Sequence, residues 1–271
     1  METIADHADS FPRNHILAAL PAEDRDRLRP ALERVRMEIR EVVFEPNRTI
    51  QHVWFPEEGV ISIVGLMEDG SGVETATVGC EGMVGVPVFL GAMQMAGQAF
   101  VQVPGVAWRM PAGVLREEVR RGGALAQLLG RYTQALFTLV AQSSACNRKH
   151  PVEQRCARWL LMSHDRVDGD TFELTQHFLS QMLGVRRATV SEAAGALQAR
   201  GLIEYTRGRI TVEDRAGLEA VACACYAIIR GEFARMLEGM APPTPLDRLR
   251  TSERGLSIVG DGAPLREAEL D

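Results

Sequence analysis

The sequence lacks the short patterns that identify the common enzyme classes. It has no HExxH motif, no P-loop, no GxGxxG fingerprint and no recognisable pairing of a nucleophile with a base. Glu57 and Glu58 are adjacent carboxylates that follow Pro56, a context that favours a turn over an acid–base couple. We therefore expect that the protein is not an enzyme.

Long hydrophobic runs are also missing. The longest apolar stretch, residues 221–229, falls far below the ~20 residues that a membrane-spanning helix needs. The first ten residues, METIADHADS, are acidic and polar, unlike a signal peptide. We expect a cytoplasmic protein with no membrane partner.

Cysteines are few and form no CxxC pair. There are five, and Cys223 and Cys225 lie two residues apart in an apparent helix, which predicts that they point to different faces. No grouping of histidine and cysteine in the sequence supports a metal or redox site. The expectation is therefore buried free thiols and no metal.

The overall charge excludes a protein coated with nucleic acid but permits a local basic face. The 271 residues carry a formal net charge of -6, with 46% hydrophobic and 24% charged residues. This composition is typical of a globular protein, and the length suits one large domain or two modest ones. A binding cleft responds to nearby charges rather than to the net charge.

The first half of the chain has a β-rich texture. Between Arg36 and Arg109, the short runs VWF, VISIVGLM, VETATVG and AFVQVPGVAWRM alternate with glycine and proline. Asp69-Gly70 is a strong hairpin signal. Runs of this length and spacing predict a compact β-roll or barrel.

A helix with coiled-coil spacing follows over residues 113–147. Its apolar positions recur at intervals of four and three, which predicts a contact with a second copy of the chain. The alternative is a helix that packs only on its own domain. Phe137 and Val140 lie off this seam and are assigned to the β-roll. The predicted dimer seam consists of Leu125, Leu129, Tyr132, Leu136, Leu139 and Ser143.

Beyond Pro151, where we place a domain boundary, the pattern indicates a helix-turn-helix. Thr175 suits the N-cap of the helix QHFLSQML, and Gly184 suits the tight turn after it. The second helix, residues 187–198, has an inward face with helical periodicity. That face consists of Val190, Ala193, Ala194 and Leu197.

Arginines mark the surface of this region. Arg186 and Arg187 lie at the start of the second helix, and Arg207-Gly208-Arg209 lies at the tip of a predicted β-hairpin. Residues 172–211 contain five arginines against three glutamates, a local net charge of +2. A basic face on a helix-turn-helix is what binding to double-stranded DNA requires.

These stretches together resemble the Crp/Fnr family of transcription regulators. LSQMLGVRRATVSEAAGALQARGLI with RGRITV resembles the family's winged helix-turn-helix, and VWFPEEGVISIVGLMEDGSGVETATVGCEGMVGVPVFLG resembles its cyclic-nucleotide-binding-like β-roll. NRKHPVEQRCARWLLMSHDRV resembles the hinge and the first helix of the DNA-binding domain in one branch of the family. The resemblance covers roughly residues 16–237 in the family's order.

The resemblance implies an α+β fold built from a jelly roll, a long helix and a winged helix-turn-helix. We assign residues 14–120 to a sensor-like β-roll, 121–148 to a dimerisation helix, 149–237 to the DNA-binding domain and 238–271 to a flexible tail. The implied function is a homodimeric, sequence-specific regulator that binds double-stranded DNA and RNA polymerase. The alternative is a protein that binds a small effector and has weak or vestigial DNA binding.

Within the family pattern, the base-reading positions fall on Arg187, Ala188 and Glu192. Ala188 departs from the glutamate of well-known members, and Glu192 replaces a basic residue found in some, so we expect an unfamiliar operator. The predicted DNA-binding residues are Thr175, Arg186, Arg187, Ala188, Thr189, Ser191, Glu192, Arg207 and Arg209.

The sensor loop departs further from the family. It reads VGCEGMVGVP, and Gly97 and Gln98 occupy the place of the Arg-Ser pair that binds a cyclic phosphate. This disfavours cyclic nucleotide, so no cofactor is expected, and an iron–sulfur centre is disfavoured because the first cysteine is Cys80. By resemblance, an effector pocket would consist of Glu81, Gly82, Met83, Val84, Gly85 and Gln98.

Overall fold

The computed structural model describes residues 13–68 and 72–238 of the chain. The predicted hairpin turn at Asp69-Gly70 and nearly all of the predicted flexible tail lie outside these residues. No helix in the described part is long and apolar enough to cross a membrane.

An antiparallel sheet forms the β-roll that the sequence predicts. Its strand order is β1-β5-β3-β4, and β2 pairs with another part of β5. The register of β3 against β5 shifts several times between Pro56 and Ile61, and such bulges bend a strand and increase its twist. The strands are β1 (Glu33–Met37), β2 (Val42–Phe44), β3 (His52–Leu66), β4 (Gly72–Val78) and β5 (Gln98–Pro111).

Short helices close the ends of the roll. Asn14 caps the first of them by accepting hydrogen bonds from the backbone of Ile16 and Leu17, while its amide donates to Pro56 and Gly82. This buried asparagine fixes the N-terminal segment to the sheet. The helices are α1 (His15–Ala18), α2 (Ala22–Leu28) with a 3₁₀ turn at Arg29–Ala31, α3 (Val86–Phe89) and α4 (Ala112–Arg121).

The long helix α5 (Ala124–Lys149) packs on the roll with the face that we assigned to a second chain. Leu125, Leu129, Tyr132 and Leu139 of the predicted seam are buried inside the single chain, and Leu136 and Ser143 are half-buried. Gly82 admits the ring of Tyr132, because a Cβ at Gly82 would lie 2.4 Å from it.

The prediction of a dimer contact at this seam is therefore wrong in its choice of face. Phe137 and Val140, which we assigned to the β-roll, are 68% and 39% exposed. Heptad spacing identifies an apolar stripe on a helix, but it does not specify whether a sheet or a second helix covers it.

The C-terminal region starts with a helix after Pro151 and ends with a helix that packs on α5. A small sheet of order β6-β8-β7 accompanies five helices. In the last helix, Phe233 lies over Tyr132 of α5, with ring centroids 6.2 Å apart. The elements are α6 (Val152–His164), β6 (Thr171–Glu173), α7 (Gln176–Leu183), α8 (Arg187–Ala199), β7 (Ile203–Thr206), β8 (Arg209–Val212), α9 (Arg215–Val221) and α10 (Cys225–Met236).

This region packs directly against the β-roll. Phe178 of α7 meets Phe100 of β5 edge to face, with centroids 5.6 Å apart. The indole N–H of Trp159 in α6 donates to Glu74 of β4 at 2.9 Å. One contiguous set of buried apolar side chains runs through both regions.

Candidate nucleic-acid interface

The helix-turn-helix forms where the sequence predicts it. The hydroxyl of Thr175 caps α7 by accepting from the backbone N–H of Phe178 at 3.2 Å. Gly184 ends α7 at φ +62°, a conformation that glycine adopts without strain. The predicted inward face of α8 is buried as expected, at Val190, Ala193, Ala194 and Leu197.

The N-terminus of α8 is open to an anion. Arg186 occupies the N-cap position, and no side chain there accepts from the first backbone N–H groups of the helix. Arg186, Arg187 and Ala188 are exposed. The partial positive charge of the helix end and two guanidinium groups therefore point at the same solvent.

The polar residues further along α8 differ in exposure and in hydrogen bonding. Glu192 is exposed, whereas Thr189 and Ser191 are half-buried. The Ser191 hydroxyl lies 2.9 Å from the side-chain oxygen of Gln176 in α7 and 3.1 Å from the carbonyl of Arg187. Ser191 thus links α8 to α7 through a hydrogen bond between side chains.

The predicted hairpin wing is present and is held against α7. Strands β7 and β8 are joined by Arg207 and Gly208 at φ +51° and +80°, the signature of a tight hairpin turn. The hydroxyl of Tyr205 donates to the carbonyl of Leu174, and the N–H of Leu174 donates to the carbonyl of Gly208. These two hydrogen bonds fix the position of the wing relative to the start of α7.

Three of the predicted DNA-binding arginines have no carboxylate neighbour among residues 13–68 and 72–238. They are Arg186, Arg187 and Arg207. Arg209 lies 3.9 Å from Glu173, and both side chains are mostly exposed. Exposed pairs of this kind contribute little and exchange readily for phosphate.

Residues of the wing and of the start of α7 also line a cleft against the β-roll. Thr175, Arg207 and Arg209 contribute one wall, and Ile39 and Arg40 contribute the other, around a volume of about 560 Å³. Spaces of this size hold small molecules rather than a duplex. The structure thus leaves the N-terminal end of α8 exposed to solvent and places the wing beside the roll.

The predicted effector residues come together only in part. Glu81, Gly82, Met83, Val84 and Gly85 are buried in one loop. Gln98 lies far from this loop along β3. It pairs with Val64, whereas Val84 of the loop bridges to Trp54. Trp54 and Val64 are ten residues apart in β3, which corresponds to roughly 33 Å of extended strand. The interpretation that these six residues line one pocket is therefore wrong for Gln98.

Arg166, which follows α6, supplies the cation of this loop. Its guanidinium donates to the Glu81 carboxylate at 2.7 Å and to the hydroxyl of Thr77. Burial is the largest effect on Glu81 and opposes its ionisation, but the charge and hydrogen bonds of Arg166 together with backbone hydrogen bonds outweigh it and lower the pKa of that carboxyl. Sequence reasoning missed this pair because the partners are 85 residues apart.

A small cavity lies between the roll and α5. It is lined by Met182 and Leu183 of α7 and Trp159 of α6 beside Glu74 and Leu139, and it measures about 20 Å³. A pocket for a nucleotide-sized ligand needs a few hundred Å³. Elements of the DNA-binding region thus occupy this side of the roll.

One grouping contradicts the expectation that histidine and cysteine do not cluster. Atoms of Cys146, His150, Cys223 and Cys225 that can bind a metal all lie within 4.8 Å of one another. We name this group the cysteine cluster. The hydrogen bond that Cys146 shares with Cys223 outweighs the cost of burial and lowers the pKa of the Cys146 thiol.

Comparisons with known proteins agree with this architecture. A family model described as a cyclic nucleotide-binding domain matches residues 34–121, and one described as a Crp-like helix-turn-helix domain matches residues 154–221. Among curated proteins, no match to this chain was found.

Solved structures of three bacterial regulators share the fold at low identity. FixK2 from Bradyrhizobium japonicum is 16% identical, with 71% of this chain and 98% of that chain covered and a TM-score of 0.61. A Crp-family transcriptional regulator from Thermus thermophilus is 20% identical (69% and 96% covered, TM-score 0.57). The c-di-GMP responsive regulator CLP from Xanthomonas campestris is 16% identical (71% and 99% covered, TM-score 0.54).

Proposed function

The chain belongs to the Crp/Fnr family of transcription regulators, and from that premise we propose that it reads a specific DNA sequence as a cytoplasmic homodimer that contacts RNA polymerase. The observation that carries this proposal is the uncapped start of α8, where Arg186 and Arg187 lie exposed without carboxylate partners in the described part of the chain. Regulation through DNA binding, rather than catalysis, is the role that this surface supports.

The side chains divide between reading bases and holding phosphates. Arg187, in the first turn of α8, would donate two hydrogen bonds to O6 and N7 of a guanine in the major groove. Arg207 and Arg209 of the wing and Thr175 at the start of α7 suit phosphate contacts, which fix orientation without reading sequence.

The exposed side of α5 is the better candidate for the dimer contact. Gly130, Thr133, Phe137, Val140 and Ser144 recur at spacings of three and four, and we name them the outer face of α5. Small residues at one end let two helices approach closely, and Phe137 with Val140 supplies apolar area. Two α8 helices related by this contact would enter successive major grooves about 34 Å apart.

A second function, binding of a small effector, is favoured by the match to a cyclic nucleotide-binding domain. The buried ion pair of Glu81 with Arg166 leaves that loop no unpaired cation for a phosphate. The cleft between the wing and the roll has the volume for such a ligand, so an effector there would act directly on the position of Arg207.

The experiment that tests the proposal is selection from a pool of random duplex DNA by the purified full-length protein, at two salt concentrations and without added ligand. We expect an enriched two-fold motif whose half-sites lie about one helical turn apart. Retention of DNA without any enriched motif, weakening steeply with salt, would contradict sequence-specific reading.

A further inference from the structure

The cysteine cluster joins two elements that are distant in sequence. Cys146 and His150 lie in the last turn of α5 and at its C-cap, four residues apart and therefore on one face of the helix. Cys223 lies just before α10, and Cys225 is its first residue. The expectation that Cys223 and Cys225 diverge is wrong because only one of them is inside a helix.

Three distances within the cluster are close to those of a tetrahedral metal site, and all its ligand atoms lie within 4.8 Å of one another. The Cys146 and Cys223 sulfurs are 3.5 Å apart, and Nδ1 of His150 lies 3.4 Å from the sulfurs of Cys146 and Cys225. Metal–sulfur bonds of about 2.3 Å and a metal–nitrogen bond of about 2.0 Å in tetrahedral geometry separate the ligand atoms by roughly 3.5–3.8 Å. A central ion therefore fits after shifts of less than about 1 Å.

The surroundings of the cluster suit a bound cation with thiolate ligands. Cys146, Cys223 and Cys225 are buried and form a group apart from the main apolar core. The amide of Gln142 donates to the Cys225 sulfur at 3.2 Å, an outer bond of the kind that orients a ligand. Arg155 and Arg158 are buried, interact electrostatically with Cys146, and would balance the net negative charge of three thiolates around a divalent ion.

We propose that Cys146, His150, Cys223 and Cys225 bind one zinc ion, or another thiophilic divalent ion of the same geometry, and that this ion fastens α10 to the end of α5. Three sulfurs and one nitrogen in a closed, buried site are a structural zinc set rather than a catalytic one, since all four positions are protein ligands. Because α5 ends here and α6 starts after Pro151, the ion would fix the hinge between the roll and the DNA-binding region.

The test is metal content and cobalt spectroscopy on the full-length protein, purified under reducing conditions and then exchanged with Zn²⁺ or Co²⁺. We expect about one ion per chain and the charge-transfer and visible bands of tetrahedral cobalt bound to thiolates. Cys146→Ser and Cys223→Ser should each lose the ion or weaken its binding and shift these bands. Cys80→Ser, the same change at a cysteine outside the cluster, should keep both.

A second measurement covers the case in which a cluster variant does not fold. Hydrogen exchange on the wild-type protein, before and after removal of metal by a chelator, should show loss of protection confined to α10 and the end of α5. The proposal is overturned if reconstituted wild-type protein holds no stoichiometric ion, or if both serine variants keep it unchanged. A Cys146–Cys223 disulfide that forms when the reduced protein is exposed to air, with dioxygen as the oxidant and equally fast with or without added Zn²⁺, would also overturn it.

Discussion

At the scale of single residues, the sequence predicted those side chains whose role depends on their near neighbours. Thr175, Gly184 and Arg187 were identified correctly as a cap, a turn and the start of a helix, because each is specified by two or three adjacent positions. Arg166 and the cysteine cluster were missed, since their partners are brought together only by the tertiary fold.

Arg187 offers a prediction at this scale. Arg187→Ala should weaken binding to the selected site by about 1–3 kcal/mol and relax base preference at one position, because a bidentate contact to guanine is lost. Titration of the selected duplex and of a scrambled duplex at one salt concentration measures this. Arg200→Ala is the matched control, since Arg200 lies at the other end of α8 and pairs with Glu153. Equal weakening on both duplexes would make Arg187 a phosphate contact instead.

At the scale of elements, periodicity specified the existence of α5 but not its orientation. Leu125, Leu129 and Tyr132 repeat as a coiled-coil seam repeats, yet they are buried within one chain, where Tyr132 packs between Gly82 of the roll and Phe233 of α10. A stripe of leucines packs on a sheet as well as on another helix, so the choice depends on which surface folds beside it. The structure resolves this by leaving Phe137 exposed on the opposite side.

The oligomeric state tests the outer face of α5. Phe137→Glu should convert the proposed dimer to a monomer at micromolar concentration, because a buried charge on each chain would face its own copy across the contact. Sedimentation of the variant beside Leu90→Glu provides the comparison, as Leu90 is similarly exposed, at 64%, but lies on the roll. If the Phe137→Glu protein remained dimeric while the wild type is a dimer, another surface would form the contact.

At the scale of the whole molecule, the roll and the DNA-binding region share an interface that the sequence did not indicate. Glu74 of β4 lies at its centre, accepting hydrogen bonds from Ser62 of the roll and Trp159 of α6. Burial raises the pKa of Glu74 from its ordinary value of 4.5 to about 7, although these bonds and the charges of Arg158 and Arg166 oppose that shift. This carboxyl therefore changes charge near neutral pH.

The direction of the resulting pH dependence follows from proton binding. The folded protein keeps the Glu74 proton up to about pH 7, whereas the unfolded chain releases it near 4.5, so the free energy of unfolding should fall between these values and then level off. Glu74→Gln should remove this part of the decline in denaturant titrations across the range. Glu117→Gln, an exposed carboxylate of α4, serves as control. An unchanged slope in Glu74→Gln would show that Glu74 is ionised throughout.

The edge-to-face contact of Phe178 with Phe100 should affect the rate at which the protein associates with DNA. While it holds α7 on the roll, the wing remains beside Arg40, and we predict that a duplex engages Thr175 and Arg207, although both are exposed, only after α7 separates from the roll. Separation before the encounter would slow association, whereas a bound complex without the contact would dissociate at an unaltered rate. In stopped-flow mixing, Phe100→Ala should raise the association rate constant and leave dissociation unchanged. A change confined to dissociation would mean that the closed arrangement does not lie on the route to DNA.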